Sequence, residues 1–236
     1  MVSSTLKIIF AVFFSAFMGG LELILLPFNR TGKLYHAIAK THSRVVLAVC
    51  GVKLRVQGLE RIDFSRSYIY VSNHASFFDI PSVLAGIPDQ VRLVYKKELE
   101  KIPFFGWGLK YGKTYIGIDR GNSSEAVRSL EEAAEKIRSG ASVLLFAEGT
   151  RTSDGKLQPF KRGAFNLAMR AGVPVVPLAI NGSFKVLPRN SWRITPGIIT
   201  LVLGAPIELP AANGKSSEFK LMEDVHNAIE QQFSEQ

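Results

Sequence analysis

From residue 51 onward the chain alternates short apolar, β-branched runs with helix-forming segments, and few folds accommodate that alternation. Strands are expected at Lys53–Val56, Ser67–Ser72, Arg92–Tyr95, Thr114–Ile118, Ser142–Ala147, Val175–Ile180 and Ile198–Leu203. The intervening lengths suit helices that cover both faces of one sheet, so residues 51–236 read as an α/β domain with a largely parallel or mixed central sheet. The clearest helix runs from Ser123 to Arg138, with Asn122 and Glu125 as a capping pair and Gly140 just past its end. Further helices are expected after Asp79, over Phe104–Tyr111, after Arg162 and between Ser217 and Phe233, with a solvent loop at Leu209–Ser216.

Residues 1–50 read differently. From Ile8 to Pro27, 15 of 20 residues are apolar, and as a helix this run is about 30 Å long, the thickness of a hydrocarbon core. Glu22 opposes a clean crossing, since a carboxylate in hydrocarbon must be paired or protonated, and Gly19-Gly20 offers a place to bend. No small-x-small cleavage site closely follows the run, and Lys7 alone precedes it, which argues against a secretory signal. Lys33 to Val49 then reads as an amphipathic helix, with Leu34, Ala37, Ile38, Val45 and Val49 on one face. The pair suggests a helical hairpin dipped into one leaflet, its Arg30, Lys33, Lys40 and Arg44 at anionic headgroups. A single crossing and a helix pair packed on the core are the alternatives. The basic cluster places the rest of the chain on the cytoplasmic side of a membrane, with a bacterial inner membrane the expected one.

The formal charge of +9 asks for an anionic partner. Nucleic acid fits poorly, because no binding module is present and the N-terminus is apolar. The single Cys50 excludes an intramolecular disulfide and a cysteine-based metal site, and His36, His42 and His226 show no metal-ligand spacing. Gly112-Lys113-Thr114 resembles the end of a phosphate-binding loop, but position 107 is Trp where that motif needs glycine.

Polar clusters sit directly after three apolar strands: Ser72-Asn73-His74, Asp119-Arg120 and Glu148-Gly149-Thr150-Arg151. Strand ends are where ligand sites gather in open α/β sheets, so the three are expected to converge. His74 and Asp79, five residues apart across a strand-to-helix turn, allow the carboxylate to hold one ring nitrogen while the other faces a hydroxyl. No Gly-x-Ser-x-Gly elbow is present, so the activated hydroxyl belongs to the substrate. Gly149 lets the backbone approach a ligand, Thr150 adds a hydroxyl, and Arg151 can grip phosphate oxygens. Asp119 most simply positions Arg120, a second phosphate candidate. Phe77, Phe78, Phe104, Phe105 and Trp107 suit an acyl groove, a membrane interface or plain core.

Asn73-His74-x4-Asp79 resembles the first signature block of the glycerolipid acyltransferases, in particular the PlsC-type 1-acyl-sn-glycerol-3-phosphate (lysophosphatidic acid) acyltransferases. Tyr115–Arg120, Phe146–Arg151 and Val173–Pro177 resemble the second, third and fourth blocks, in the same order. Tyr95–Leu99, Ile102–Trp107 and Phe160–Phe165 are similar to other stretches of that family. The chain departs from the pattern at Ala147, where proline is usual, and at Gly117, where a bulkier residue is usual; these departures suggest a looser turn and extra room beside the site. The resemblance implies a glycerol-3-phosphate acyltransferase-like fold, His74 and Asp79 as catalytic pair, and substrate contacts from Asn73, Lys97, Arg120, Glu148, Gly149, Thr150 and Arg151. It implies acyl transfer from acyl-CoA or acyl carrier protein to the sn-2 hydroxyl of lysophosphatidic acid, giving phosphatidic acid, with no metal or other cofactor. Another lysolipid acceptor, or a non-catalytic lipid-binding protein of the same fold, are the competing readings.

Overall fold

The computed structural model describes residues 3–29, 31–112, 114–118, 123–210 and 214–234. Seven strands form one sheet in the order β1-β7-β6-β2-β5-β3-β4. They are β1 (Val52–Gln57), β2 (Ile69–Ser72), β3 (Val91–Lys96), β4 (Ile116–Ile118), β5 (Ser142–Phe146), β6 (Val175–Asn181) and β7 (Gly197–Leu203), each where a strand was expected. Neighbours pair in parallel except β6 with β7, so the sheet is mixed.

Strand alternation divides the core in two. Tyr70, Leu144, Leu178 and Leu201 point to one face, where they meet Val46, Leu47 and Cys50 of α2 (Lys33–Cys50) and Val83 of α3 (Asp79–Gly86). Ile69, Val71, Val143 and Ala179 point to the other. There they meet α5 (Ser123–Arg138), α6 (Gly163–Ala171) and α8 (Lys215–Glu230) through Ile137, Phe165 and Val225. Central β2 is buried along its whole length. The short α4 (Phe105–Gly112) and α7 (Ser183–Val186) follow loops. Helix α5 ends as expected, with Gly140 at φ 102°; its expected cap at Asn122 lies outside the described residues.

By sequence alone the prolines of Val173–Pro177 suit the entry and path of an edge strand or wall; β6 is instead interior, between β2 and β7. Proline is tolerated there because the β7 ladder spans only Leu178–Asn181. Val175 N donates to Ile207 on that side, so two residues on, the missing Pro177 donor faces the gap in pairing.

Helix α1 (Ser4–Ile24) is continuous through Gly19-Gly20. Gly19 serves close approach instead of a bend: a Cβ there would lie 2.9 Å from the Phe104 carbonyl oxygen. Phe104 itself adopts φ 61° to turn the chain into α4. Glu22 is covered by α4, since a Cβ on Gly108 would lie 2.8 Å from its Oε2. Lys7 reaches across to donate to the Cys50 carbonyl at 3.0 Å, meeting the negative end of the α2 dipole.

The buried arc of α2 differs from the expected one. Tyr35, Ile38, Val46, Leu47 and Cys50 face inward, while Ala37 and Val49 are exposed. This helix carries apolar residues around much of its circumference, and α1 on one side with α3 and the sheet on the other selects the arc. Helix α1, in contrast, buries only Lys7 and Gly19. It leaves Leu6, Ile9, Phe10, Val12, Phe13 and Phe17 bare, a contiguous apolar surface that water does not favour. Ile102, Phe104, Phe105 and Trp107 in and before α4 extend the exposed apolar surface. By length and composition α1 is apolar enough to enter a membrane.

Candidate active site

Strand β2 runs out at Ser72, and the chain turns through residues 73–78 into α3. Asn73 locks the turn: its Nδ2 donates to the Ile180 carbonyl at 2.9 Å and its Oδ1 accepts from Ile180 N at 2.8 Å. Both ends of the amide are thereby committed to β6. Asn73, expected as a substrate contact, is buried and braces the strand end that carries His74.

Asp79 opens α3 and is fully buried. Its Oδ2 accepts from His74 Nδ1 at 2.7 Å, Ala75 N at 2.8 Å and Ser76 N at 2.9 Å. The turn thus wraps its own backbone donors around the carboxylate, which fixes the Nδ1–H tautomer and leaves His74 Nε2 as the basic lone pair. The imidazole lies flat on Phe146 at the end of β5, ring centroids 3.9 Å apart, and its side chain is 17% exposed. No described side chain hydrogen-bonds Nε2.

The β5 end supplies the second cluster. Glu148 Oε1 accepts from His74 N at 3.3 Å, and Thr152 N donates to the His74 carbonyl at 2.8 Å, so the β2 and β5 strand ends do converge. Burial pushes the Glu148 carboxyl up to about 8, only partly opposed by backbone donors at His74 and Gln158, and its Oε2 has no partner among the described residues. At neutral pH it is mostly a neutral acid, able to donate to a ligand oxygen. Because the folded chain holds this proton above the ordinary carboxylate range, stability falls as pH rises from about 5 to 8, by up to about 1.4 kcal/mol per pH unit. Glu148→Gln is expected to flatten that slope in denaturant titrations of the detergent-solubilised chain; an unchanged slope would place its origin elsewhere.

Gly149 turns the loop at φ 75°, with the Lys161 stem where a Cβ would lie, 2.9 Å from Cδ. Thr150 is exposed in the same loop. Arg151 stacks on Phe77, its Cζ 3.7 Å from the ring centroid, and its Nη1 is buried without a partner among the described residues. Burial and the neighbouring Arg189 draw Arg151 below its usual value, partly offset by Asp79; the cation remains charged and poorly satisfied, which favours an incoming anion.

Lys97 stands just past β3, exposed on the same edge of the sheet and without a described bond to His74 or Glu148. Asp119 and Arg120, the third expected cluster, lie outside the described residues. Both departures from the family pattern are filled more tightly than expected. Ala147 N donates to Ser72 at 3.1 Å, a bond proline could not make, and Ala147 O accepts from Lys161 N at 2.7 Å. Beside Gly117 there is no free room, because Tyr95 Cζ would lie 3.0 Å from a Cβ.

Arg189 and Lys161 were not singled out from the sequence. Arg189 Nη1 donates to the Arg151 carbonyl at 3.0 Å from an irregular stretch after α7, and nothing local marks it. Next to the catalytic turn opens a cavity of about 900 Å³. Phe77, Phe78, Phe104 and Phe105 line it with Ile8 and Val12 of α1, and Arg189 and Trp192 stand at its polar side.

A base held in one tautomer, with no nucleophile against its free nitrogen among the described residues, suits an acceptor that brings its own hydroxyl. A deep apolar cavity beside it suits a long-chain group as the thing transferred. Such an arrangement suits an acyl-transferring enzyme. A family model described as Acyltransferase matches residues 53–181, and the chain belongs to that family.

A 1-acyl-sn-glycerol-3-phosphate acyltransferase of Pseudomonas aeruginosa is 34% identical over 196 residues, covering 80% of this chain and 75% of that protein. A chloroplastic 1-acyl-sn-glycerol-3-phosphate acyltransferase of Brassica napus is 36% identical over 177 residues, 74% of this chain and 51% of its own length. The chain thus spans about half the length of that relative. The crystal structure of the lysophosphatidic acid acyltransferase PlsC from Thermotoga maritima superposes with a TM-score of 0.79 at 28% identity, covering 97% of this chain and 94% of that one.

Proposed function

We propose that this chain acylates the sn-2 hydroxyl of 1-acylglycerol 3-phosphate, producing phosphatidic acid from acyl-CoA or acyl carrier protein. The observation that carries the reading is His74 Nε2, without a hydrogen bond among the described residues, on a turn whose Phe77 both lines the apolar cavity and carries Arg151. His74 Nε2 takes the proton as the acceptor oxygen bonds to the thioester carbonyl carbon. The tetrahedral intermediate collapses, the C–S bond breaks, and the imidazolium returns the proton to the leaving thiolate. Asp79 stabilises the imidazolium without itself becoming protonated.

Arg151, aided by Arg189, Lys161, Lys97 and Arg120, is the proposed phosphate grip, while neutral Glu148 donates to an oxygen of the acceptor. Gly149 and Thr150 shape the loop around it. The reaction needs no metal or resident cofactor. The basic residues of α2 are assigned to an anionic membrane surface, with α1 lying in the cytoplasmic leaflet of a bacterial inner membrane. That placement brings lysolipid and water-borne thioester to one site.

Thiol release from acyl-CoA against a panel of lyso-acceptors tests this. Release is expected with 1-acylglycerol 3-phosphate and little with neutral lysolipids; equal rates would remove the phosphate grip from the reading. Arg151→Gln is expected to raise KM for the phosphorylated acceptor about 10- to 100-fold, the usual worth of a charge-assisted bond. A loss confined to kcat would instead place Arg151 at the reacting carbonyl.

A further inference from the structure

A second cavity, of about 540 Å³, lies at the opposite edge of the sheet from His74. It is lined by Leu26, Asn29, Thr31, Arg92, Tyr111 and Thr114, where the α1–α2 connection meets the starts of β3 and β4. Arg92 opens β3, whose far end carries Lys97, so this cavity and the catalytic turn are separated by the length of the parallel strands. It goes beyond acyl transfer and does not rest on it.

We propose that this cavity binds the phosphate group of an anionic membrane lipid. Arg92 has one described hydrogen bond, from Nη1 to the Thr114 carbonyl at 3.3 Å. Its Nε is buried and without a partner among the described residues. No described carboxylate lies within ion-pair distance of it, so the charge is held in a partly buried place with most of its five donors open. A planar guanidinium in that state matches phosphate oxygens bidentately. Asn29, Thr31 and Thr114 give the wall beside Arg92 a polar character. Asn29 Nδ2 donates to Thr114 Oγ1 at 3.2 Å, tying the connection to β4, and Gln90 Nε2 holds the Thr31 carbonyl at 3.3 Å.

Position favours a lipid over a solute. Leu26 and Tyr111, on the cavity wall, are exposed, and Phe28 beside it is 75% exposed. These continue the apolar face of α1, so the cavity opens at the rim of the membrane-facing surface, where headgroup phosphates and tyrosine rings share one depth. A lipid held there pins the C-terminal end of α1 while its N-terminal half walls the other cavity.

The test is co-sedimentation of the full chain with vesicles at raised salt, which screens unspecific attraction. Vesicles contain phosphatidylglycerol, or oleate as a phosphate-free anion. Arg92→Gln is expected to weaken binding to phosphatidylglycerol vesicles about tenfold, with no change on oleate vesicles. Lys220→Gln, which removes an exposed charge from α8, is expected to change neither. Thr31→Trp keeps the charge and occludes the cavity, and is expected to reproduce the Arg92→Gln loss even if that variant folds poorly. Arg92→Gln behaving like Lys220→Gln, or Thr31→Trp binding as the wild type does, would overturn the site. Calorimetric titration of the solubilised chain with glycerol phosphate distinguishes the source. Binding that depends on Arg92 there, with none on vesicles, would assign the cavity to a soluble phosphate and overturn the lipid assignment.

Discussion

Replacing His74 with alanine is expected to lower acyl transfer about 100- to 10,000-fold, the ordinary worth of a general base, and to leave the fold in place. The imidazole rests on Phe146 at the protein surface, with one side-chain bond, to Asp79. Its removal therefore opens no deep void. What disappears is the lone pair that accepts the acceptor's proton, and no other described group stands where Nε2 does. Thermal unfolding and steady-state thiol release measured on the same preparation check this together. A variant that keeps more than about a tenth of wild-type turnover would show that some other group is the base.

Asp79→Asn is expected to lower turnover about 1,000- to 10,000-fold, by a different route and with a different signature. The carboxylate holds Nδ1–H; an amide in its place can present its NH2 instead, leaving the proton on Nε2, where it blocks the reaction. Unlike His74, Asp79 also gathers the Ala75 and Ser76 amides, and it is fully buried. Weakening those bonds costs about 1–3 kcal/mol of stability. The pair is thus separable: one variant loses activity alone, the other loses activity and several degrees of melting temperature. Asp79→Asn with near-normal turnover would mean that the tautomer is set by something else.

The geometry of the candidate site was legible because it is local. His74, Asp79 and the two amides between them occupy six consecutive residues, and strand-end placement brought Glu148 to them. All seven strands were legible from their β-branched runs for a similar reason. Features that depend on distant packing were not. Arg189 reaches Arg151 across 38 residues of sequence, and its own neighbourhood looks like any loop. Asn73 has the polarity of a ligand contact, and only the arrival of β6 reveals that Ile180 consumes it. Gly19 reads as a hinge until the Phe104 turn is known to press against it. Pro177 reads as an edge marker until the gap in the β7 ladder is seen.

One wall of the large cavity is α1, a helix that keeps most of its own surface outside the protein. With α1 lying in a bilayer as proposed, a substrate arriving there would come not from bulk water but along the plane of that helix. The concentration the enzyme experiences is then lipid per unit of surface, set by mole fraction in the bilayer. Diluting the acceptor with inert lipid slows such a catalyst even when the amount in the tube is unchanged, and stirring in more buffer does not.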